Sequence, residues 1–210
     1  MNENQLRDEI VEIGRSLYER GLAHGSAGNI SVRVADGWLM TPTNSCLGRL
    51  DPERISRVDA NGILVAGDRP SKETFLHVAM YQERPASGAV VHLHSAHAVA
   101  VSCLADVNPH DVFPPITAYA MMQVGRLVLV PYYPPGDESL ADAVRKVASK
   151  HQAVLLANHG PVVAGSSLDA AVNAIEELEQ TAKLVLLLRG QPVRLLTADQ
   201  VAEINRRFAN

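Results

Sequence analysis

Two histidines separated by one residue, in Ala89-Val90-Val91-His92-Leu93-His94, are the first feature of this chain that could do chemistry. Three apolar residues lead into them, so the segment reads as a strand. Side chains alternate in direction along a strand, which puts His92 and His94 on one face and turns Leu93 into packing on the other. Two neutral imidazoles supply two thirds of a three-protein-ligand metal site, although hydrogen bonding at a sheet surface would also account for them.

His159 follows the apolar run Ala153-Val154-Leu155-Leu156-Ala157, in a turn read over Asn158-His159-Gly160-Pro161. Strand ends are where α/β proteins place ligands. Alone, His159 reads as a turn histidine bonded to a backbone carbonyl. With His92 and His94 it completes a three-histidine set suited to zinc with an open fourth position. Manganese or cobalt would also suit such a set. His97 competes as a ligand from one turn into the next helix and is given a supporting or structural role instead.

Glu73 reads as an acid in the first turn of a helix opened by Pro70-Ser71-Lys72. The helix dipole there favours the ionised carboxylate, which fits a base or a fourth metal ligand better than a standing acid. Ser71 and Lys72 share that helix start, where free N–H groups, a hydroxyl and an ammonium can converge on an anion. The loops Gly25-Ser26-Ala27-Gly28-Asn29 and Thr43-Asn44-Ser45 offer more donors of the same kind. None of these matches a nucleotide P-loop or a dinucleotide fingerprint.

The elements that must position these residues follow from periodicity. Leu6, Ile10, Ile13, Leu17 and Tyr18 fall at helical spacing, ended by Gly21. Ile30–Val34 alternates as a strand and turns through Ala35-Asp36-Gly37 into Trp38–Met40. Asp51-Pro52-Glu53 has a helix-start pattern, and short strands are expected near 55–58 and 63–65. A helix to about Glu83 precedes the His-x-His strand, and another is expected from Ala96 to Cys103. Beyond Pro114-Pro115 come a short segment from Tyr119 to Met122, a strand at Leu127–Val130 and a helix at Asp137–Ser149. The run 153–157 reads as a buried central strand, and Val162–Ala164 as its partner. Helices over Ser167–Arg189 and Thr197–Phe208 complete the chain. The alternation predicts one α/β domain over residues 1–210, with a central mixed sheet covered by helices on both faces.

At 210 residues the chain is long enough for such a core. A formal net charge of -4 and a pI near 6.0 give no reason to expect nucleic acid or an anionic membrane as partner. No apolar stretch approaches bilayer-spanning length, and the polar, acidic N-terminus is unlike a signal peptide. Two cysteines, Cys46 and Cys103, are too few for a disulfide framework, so a cytoplasmic protein with reduced thiols is expected.

Ser-Ala-Gly-Asn-Ile-Ser, Thr-Pro-Thr, Pro-Ser-Lys-Glu, His-x-His-Ser and Asn-His-Gly, in this order and spacing, resemble the class II aldolase/adducin family from about residue 6 to Arg189. The resemblance implies a three-layer α/β/α fold with a mixed, largely antiparallel sheet. It implies zinc on His92, His94 and His159, with Glu73 as acid/base beside it. Substrate phosphate would be held by Ser26, Gly28, Asn29, Thr43, Asn44 and Ser71. Members are typically cyclic homotetramers with sites at subunit boundaries, where Tyr119 would act from the neighbouring subunit.

Within the family, the stretches Thr41–Pro52, Lys72-Glu73 and Pro131–Asp137 resemble the branch that decarboxylates 3-oxo-tetronate 4-phosphate. Aldolases commonly carry Ser-Ser-Glu where this chain has Ser71-Lys72-Glu73, and use a C-terminal tyrosine that is absent after Tyr133. The branch implies conversion of the β-keto acid to dihydroxyacetone phosphate and CO2 through an enediolate, its charge stabilised by the cation. Glu73 would supply the proton to C2, and Lys72 would neutralise the substrate's phosphate or carboxylate. A fuculose-phosphate-type aldolase, a ribulose-phosphate 4-epimerase and a non-catalytic adducin-like module are the alternatives.

Overall fold

The computed structural model describes residues 1–208; Ala209 and Asn210, the end of the tyrosine-free tail, lie outside them. In chain order the elements are α1 (Glu3–Glu19), β1 (Asn29–Val34), β2 (Gly37–Met40), β3 (Ser56–Asp59), β4 (Leu64–Ala66), α2 (Thr74–Glu83), β5 (Ala89–His92) and α3 (Ala96–Ser102). Then follow β6 (Val128–Val130), α4 (Ser139–Ala148), β7 (Ala153–Leu156), β8 (Gly160–Gly165), α5 (Leu168–Leu187) and α6 (Ala198–Arg207). The strands form one sheet in the order β4-β3-β2-β1-β5-β8-β7-β6. Among the described residues only β6 and β7 run parallel; the other neighbours are antiparallel, giving the mixed sheet expected.

Strand alternation divides the core in two. Ile30, Val91, Leu93, Leu155 and Val163 face α1, α3 and α5, where Ile10, Leu17, Val101, Ile175 and Leu178 are buried. Val90, Val154, Leu156 and Val162 face the other way, against Leu76 and Met80 of α2 and Val144 and Ala148 of α4. Each fully buried aliphatic side chain is worth about 1.5–3 kcal/mol, so both faces hold the sheet in register. That register matters because β5 and β8 carry the histidines to one end.

Helix starts obey local chemistry. Asn2 and Gln5 form a capping box on α1, Ser167 caps α5, and Thr197 with Gln200 forms a second box on α6.

Several expectations need correction. Asp51-Pro52-Glu53 starts only a single 3₁₀ turn, Pro52–Arg54, because β3 takes over two residues later. The segment after Tyr119 is a π-helical turn, Ala120–Val124. Glu73 is the residue capping α2 and not a member of its first turn. Gly160 and Pro161 belong to β8, so the turn is confined to residues 157–159. Among the described residues, no helix is long and apolar enough to cross a membrane.

Candidate metal centre

The end of β5 and the start of β8 converge on one point. His92 pairs with Val162 across β5–β8, and Leu156 pairs with Gly160 across β7–β8, closing the turn that carries His159. Asn158 takes a φ of 55°, a left-handed conformation that Asn tolerates better than most residues. Gly160 is required by crowding: a Cβ there would sit 2.3 Å from the Leu93 carbonyl oxygen. The turn therefore packs directly on the backbone between His92 and His94. Gly28 (φ +85°) lies against the same segment, where a Cβ would meet the His92 carbonyl oxygen at 3.0 Å.

The result is a tight donor set. His94 Nε2 lies 3.0 Å from His92 Nε2 and 3.1 Å from His159 Nε2. Glu73 reaches in from the start of α2, with Oε1 3.1 Å from His159 Nε2 and Oε2 3.4 Å from His92 Nε2. The ligand atoms of all four residues lie within 4.8 Å of one another. His92 Nδ1 is 2.8 Å from the Pro161 carbonyl oxygen. A carbonyl only accepts, so Nδ1 carries the proton and the neutral ring turns a bare Nε2 lone pair toward the cluster.

Electrostatics prepare the same set. Burial pushes His92 below the ordinary histidine value. Burial, reinforced by His92 and His159, pushes His94 down to about 3. Burial alone would raise Glu73, but the opposing pull of His92, with hydrogen bonds from His159 and Asn29, holds it well below the usual carboxylate range. A site that disfavours protons on His92 and His94 and keeps a carboxylate ionised beside them suits a divalent cation. Three imidazole nitrogens and a carboxylate oxygen brought this close are a donor set that a divalent cation fits.

Asn29 reaches the acid from β1. Its side chain is buried, donating from Nδ2 to Glu73 Oε2 at 2.7 Å while Oδ1 faces His77 Nε2 at 2.5 Å. The carboxamide points inward, to the acid. His97 stays out of the cluster: its Nδ1 is 2.7 Å from Glu179 Oε1, and Glu179 also accepts the backbone N–H groups of His97 and Ala98 at the start of α3.

The residues expected to bind anions divide between clefts. Ser26, Thr43 and Asn44 line an open cleft of about 430 Å³ together with Arg49, Arg54 and Arg69. Ser71 and Lys72 line another, of about 580 Å³, which Arg69 also borders. The two loops are tied together, Thr43 N–H donating to the Arg69 carbonyl and Ser71 N–H to the Thr41 carbonyl. Tyr119 is 64% exposed and borders a third cleft with Arg20, Gln123 and Glu176, away from the four cluster residues within its own chain.

Sequence reasoning passed over His77, Ser31 and Tyr81, which stand behind Asn29, and the three arginines. For the first group a signal existed: polar Asn29, Ser31 and Arg33 at every second position of an otherwise apolar strand. The arginines have no spacing that would single them out.

The fold and the four-residue centre define a class. The model of the class II aldolase and adducin N-terminal domain matches residues 8–186, and the chain belongs to that family. Within it, the chain is 50% identical over 203 residues to the 3-oxo-tetronate 4-phosphate decarboxylase of Escherichia coli K12, covering 96% of each. The crystal structure of YgbL from Klebsiella pneumoniae superposes with a TM-score of 0.95 at 50% identity, over 97% of this chain and 99% of that one. The L-fuculose phosphate aldolase of Haemophilus influenzae is more distant, 34% identical over 210 residues, with 99% of this chain and 95% of that protein covered.

Proposed function

We propose that this protein is a carbon–carbon lyase that decarboxylates 3-oxo-tetronate 4-phosphate to dihydroxyacetone phosphate and CO2. The observation that carries the chemistry is the convergence of three imidazole Nε2 atoms and the Glu73 carboxylate at the ends of β5 and β8. The choice of substrate is supported by the decarboxylase relatives, which exceed the aldolases in identity over the same length.

His92, His94 and His159 would hold a divalent cation, zinc in our reading, with manganese or cobalt as substitutes. When bound, it supplies Lewis-acid stabilisation of the negative charge that develops on the C3 oxygen. The Pro161 carbonyl fixes the His92 ring, so that imidazole need not reorient during turnover. As the C1–C2 bond breaks, its electron pair forms C2=C3 and the C3 carbonyl pair moves to oxygen. Return of that pair, with a proton added at C2, gives the ketone product; one solvent proton is consumed per turnover. Glu73 is ionised at rest, so it must take up this proton in the substrate complex. There it would deliver the proton to C2.

Lys72 and Ser71 would face the substrate's anionic groups, and Ser26, Gly28, Thr43 and Asn44 would receive phosphate, with Asn29 contributing through Glu73. Tyr119 would act from a neighbouring subunit of a homotetramer, since exposure leaves it free to reach a second chain's site. Residues 1–210 would act as one domain, in the cytoplasm, as the free Cys46 and Cys103 befit.

The test is to incubate the zinc-loaded protein with 3-oxo-tetronate 4-phosphate and follow CO2 and dihydroxyacetone phosphate together. Equal amounts of both, abolished by a chelator and restored by metal, are expected. Aldehyde release from fuculose 1-phosphate with no CO2 from the keto acid would instead return an aldolase.

A further inference from the structure

Behind Glu73 a row of buried polar side chains runs along the β1–α2 contact, and the reaction described so far leaves it without a task. Asn29, Ser31 and Arg33 share one face of β1, while Glu73, His77 and Tyr81 recur every fourth residue from the start of α2. Two residues of strand advance about 6.6 Å and four of helix about 6 Å, so the two rows mesh rung by rung. Asn29 bridges Glu73 and His77, Ser31 Oγ lies 2.7 Å from His77 Nδ1 and 3.0 Å from the Tyr81 hydroxyl, and Arg33 covers the Tyr81 ring at 4.6 Å. Trp38 stacks on Tyr81 with centroids 4.9 Å apart, which fixes the inner end.

The direction of every hydrogen bond follows from how the Asn29 amide sits. Its NH2, which only donates, meets Glu73 Oε2, and its carbonyl oxygen, which only accepts, meets His77 Nε2. Oδ1 then faces His77, which must carry its proton on Nε2. His77 Nδ1 is therefore a bare acceptor, Ser31 Oγ–H donates to it, and the Tyr81 hydroxyl donates to Ser31. Turning the Asn29 amide over would set oxygen against carboxylate at one end and N–H against N–H at the other.

We propose that Tyr81, Ser31 and His77 form a one-way hydrogen-bond chain that locks the Asn29 amide toward Glu73, making His77 a positioning residue for the proton carrier. This rests on the role given to Glu73 above, and the chain itself can be read without any substrate.

The experiment uses the zinc-loaded full-length protein labelled with ¹⁵N-histidine. His77 is expected as the Nε2–H tautomer with an unprotonated, hydrogen-bonded Nδ1; the opposite tautomer overturns the proposal whatever the reaction proves to be. In parallel, His77→Phe is expected to lower kcat about 10- to 100-fold with KM within about twofold and zinc content unchanged. His77→Gln, which retains a terminal N–H, is expected to recover most of that loss. Ser31→Ala serves where His77→Phe does not fold, and is expected to lower kcat and give a mixture of His77 tautomers. Wild-type kcat in the folded variants, or a kcat loss that only tracks loss of zinc, overturns the proposal. Absence of CO2 release by the wild type defeats the assigned reaction instead, and leaves the tautomer to decide the chain.

Discussion

The histidine centre and the cleft beside it are built on opposite plans. At the centre, β5, β8 and α2 supply donors from a packed sheet end, and His92 is fully buried. In the cleft, Ser26 and Asn44 are exposed on loops, and Arg49 is exposed at the end of the 3₁₀ turn Leu47–Arg49. A rigid sheet end holds a cation's ligands to a fraction of an ångström, as bond formation demands. Loops present many weak donors to an anion that tolerates positional slack. The contrast teaches that chemistry and recognition are separable here: damage to the centre should appear in kcat and metal content, damage to the cleft in KM.

The hardest blow to the contrast is His92→Ala. Zinc content per chain should fall close to zero, and turnover by about 10³-fold or more, as several kcal/mol of charge stabilisation is lost. Stoichiometric zinc in that variant would move the metal elsewhere. Glu73→Gln comes next: kcat is expected to drop by about 10²- to 10⁴-fold with zinc retained, because the substitution removes only the proposed proton carrier. Near-wild-type turnover with zinc bound would falsify the role of Glu73.

Lys72→Ser tests the recognition side. KM for the keto acid should rise about tenfold, and binding of a neutral ketose phosphate should weaken much less, as suits a compact charge facing a carboxylate. Equal losses would reduce Lys72 to a phosphate contact.

The smallest effect concerns pH and isolates the layer behind the centre. Burial pushes His77 down to about 3, so it stays neutral in the folded protein while the unfolded chain binds a proton below about 6.5. Its contribution to stability is therefore present above pH 6.5 and is lost as pH falls toward 3, by at most about 1.4 kcal/mol per pH unit. Denaturant midpoints of wild type and His77→Gln should converge between pH 7 and 5. A constant gap would mean His77 does not titrate differently in the two states.

Much of this was legible in the residues. His-x-His on a strand, His159 after a buried run and Glu73 at a helix start are local patterns, and local periodicity also placed most elements within a residue or two. What stayed hidden in the sequence shares a cause. Asn29 reads as the last residue of a donor loop, and pairing with His92 makes it the first residue of β1, with its amide turned inward. His77 looked like an ordinary helix position because nothing within α2 requires a polar residue there; its partners come from β1, more than forty residues away.

Residue order alone, then, determined the inventory: three imidazoles, one acid, two donor loops and the periodicities of an α/β sheet. Only the tertiary structure decided their joint geometry, namely which ring nitrogen faces the centre, where each amide points and which cleft each loop lines. The physical reason is that strand register and helix packing fix distances between remote segments, and hydrogen-bond direction is meaningful only once those distances are set.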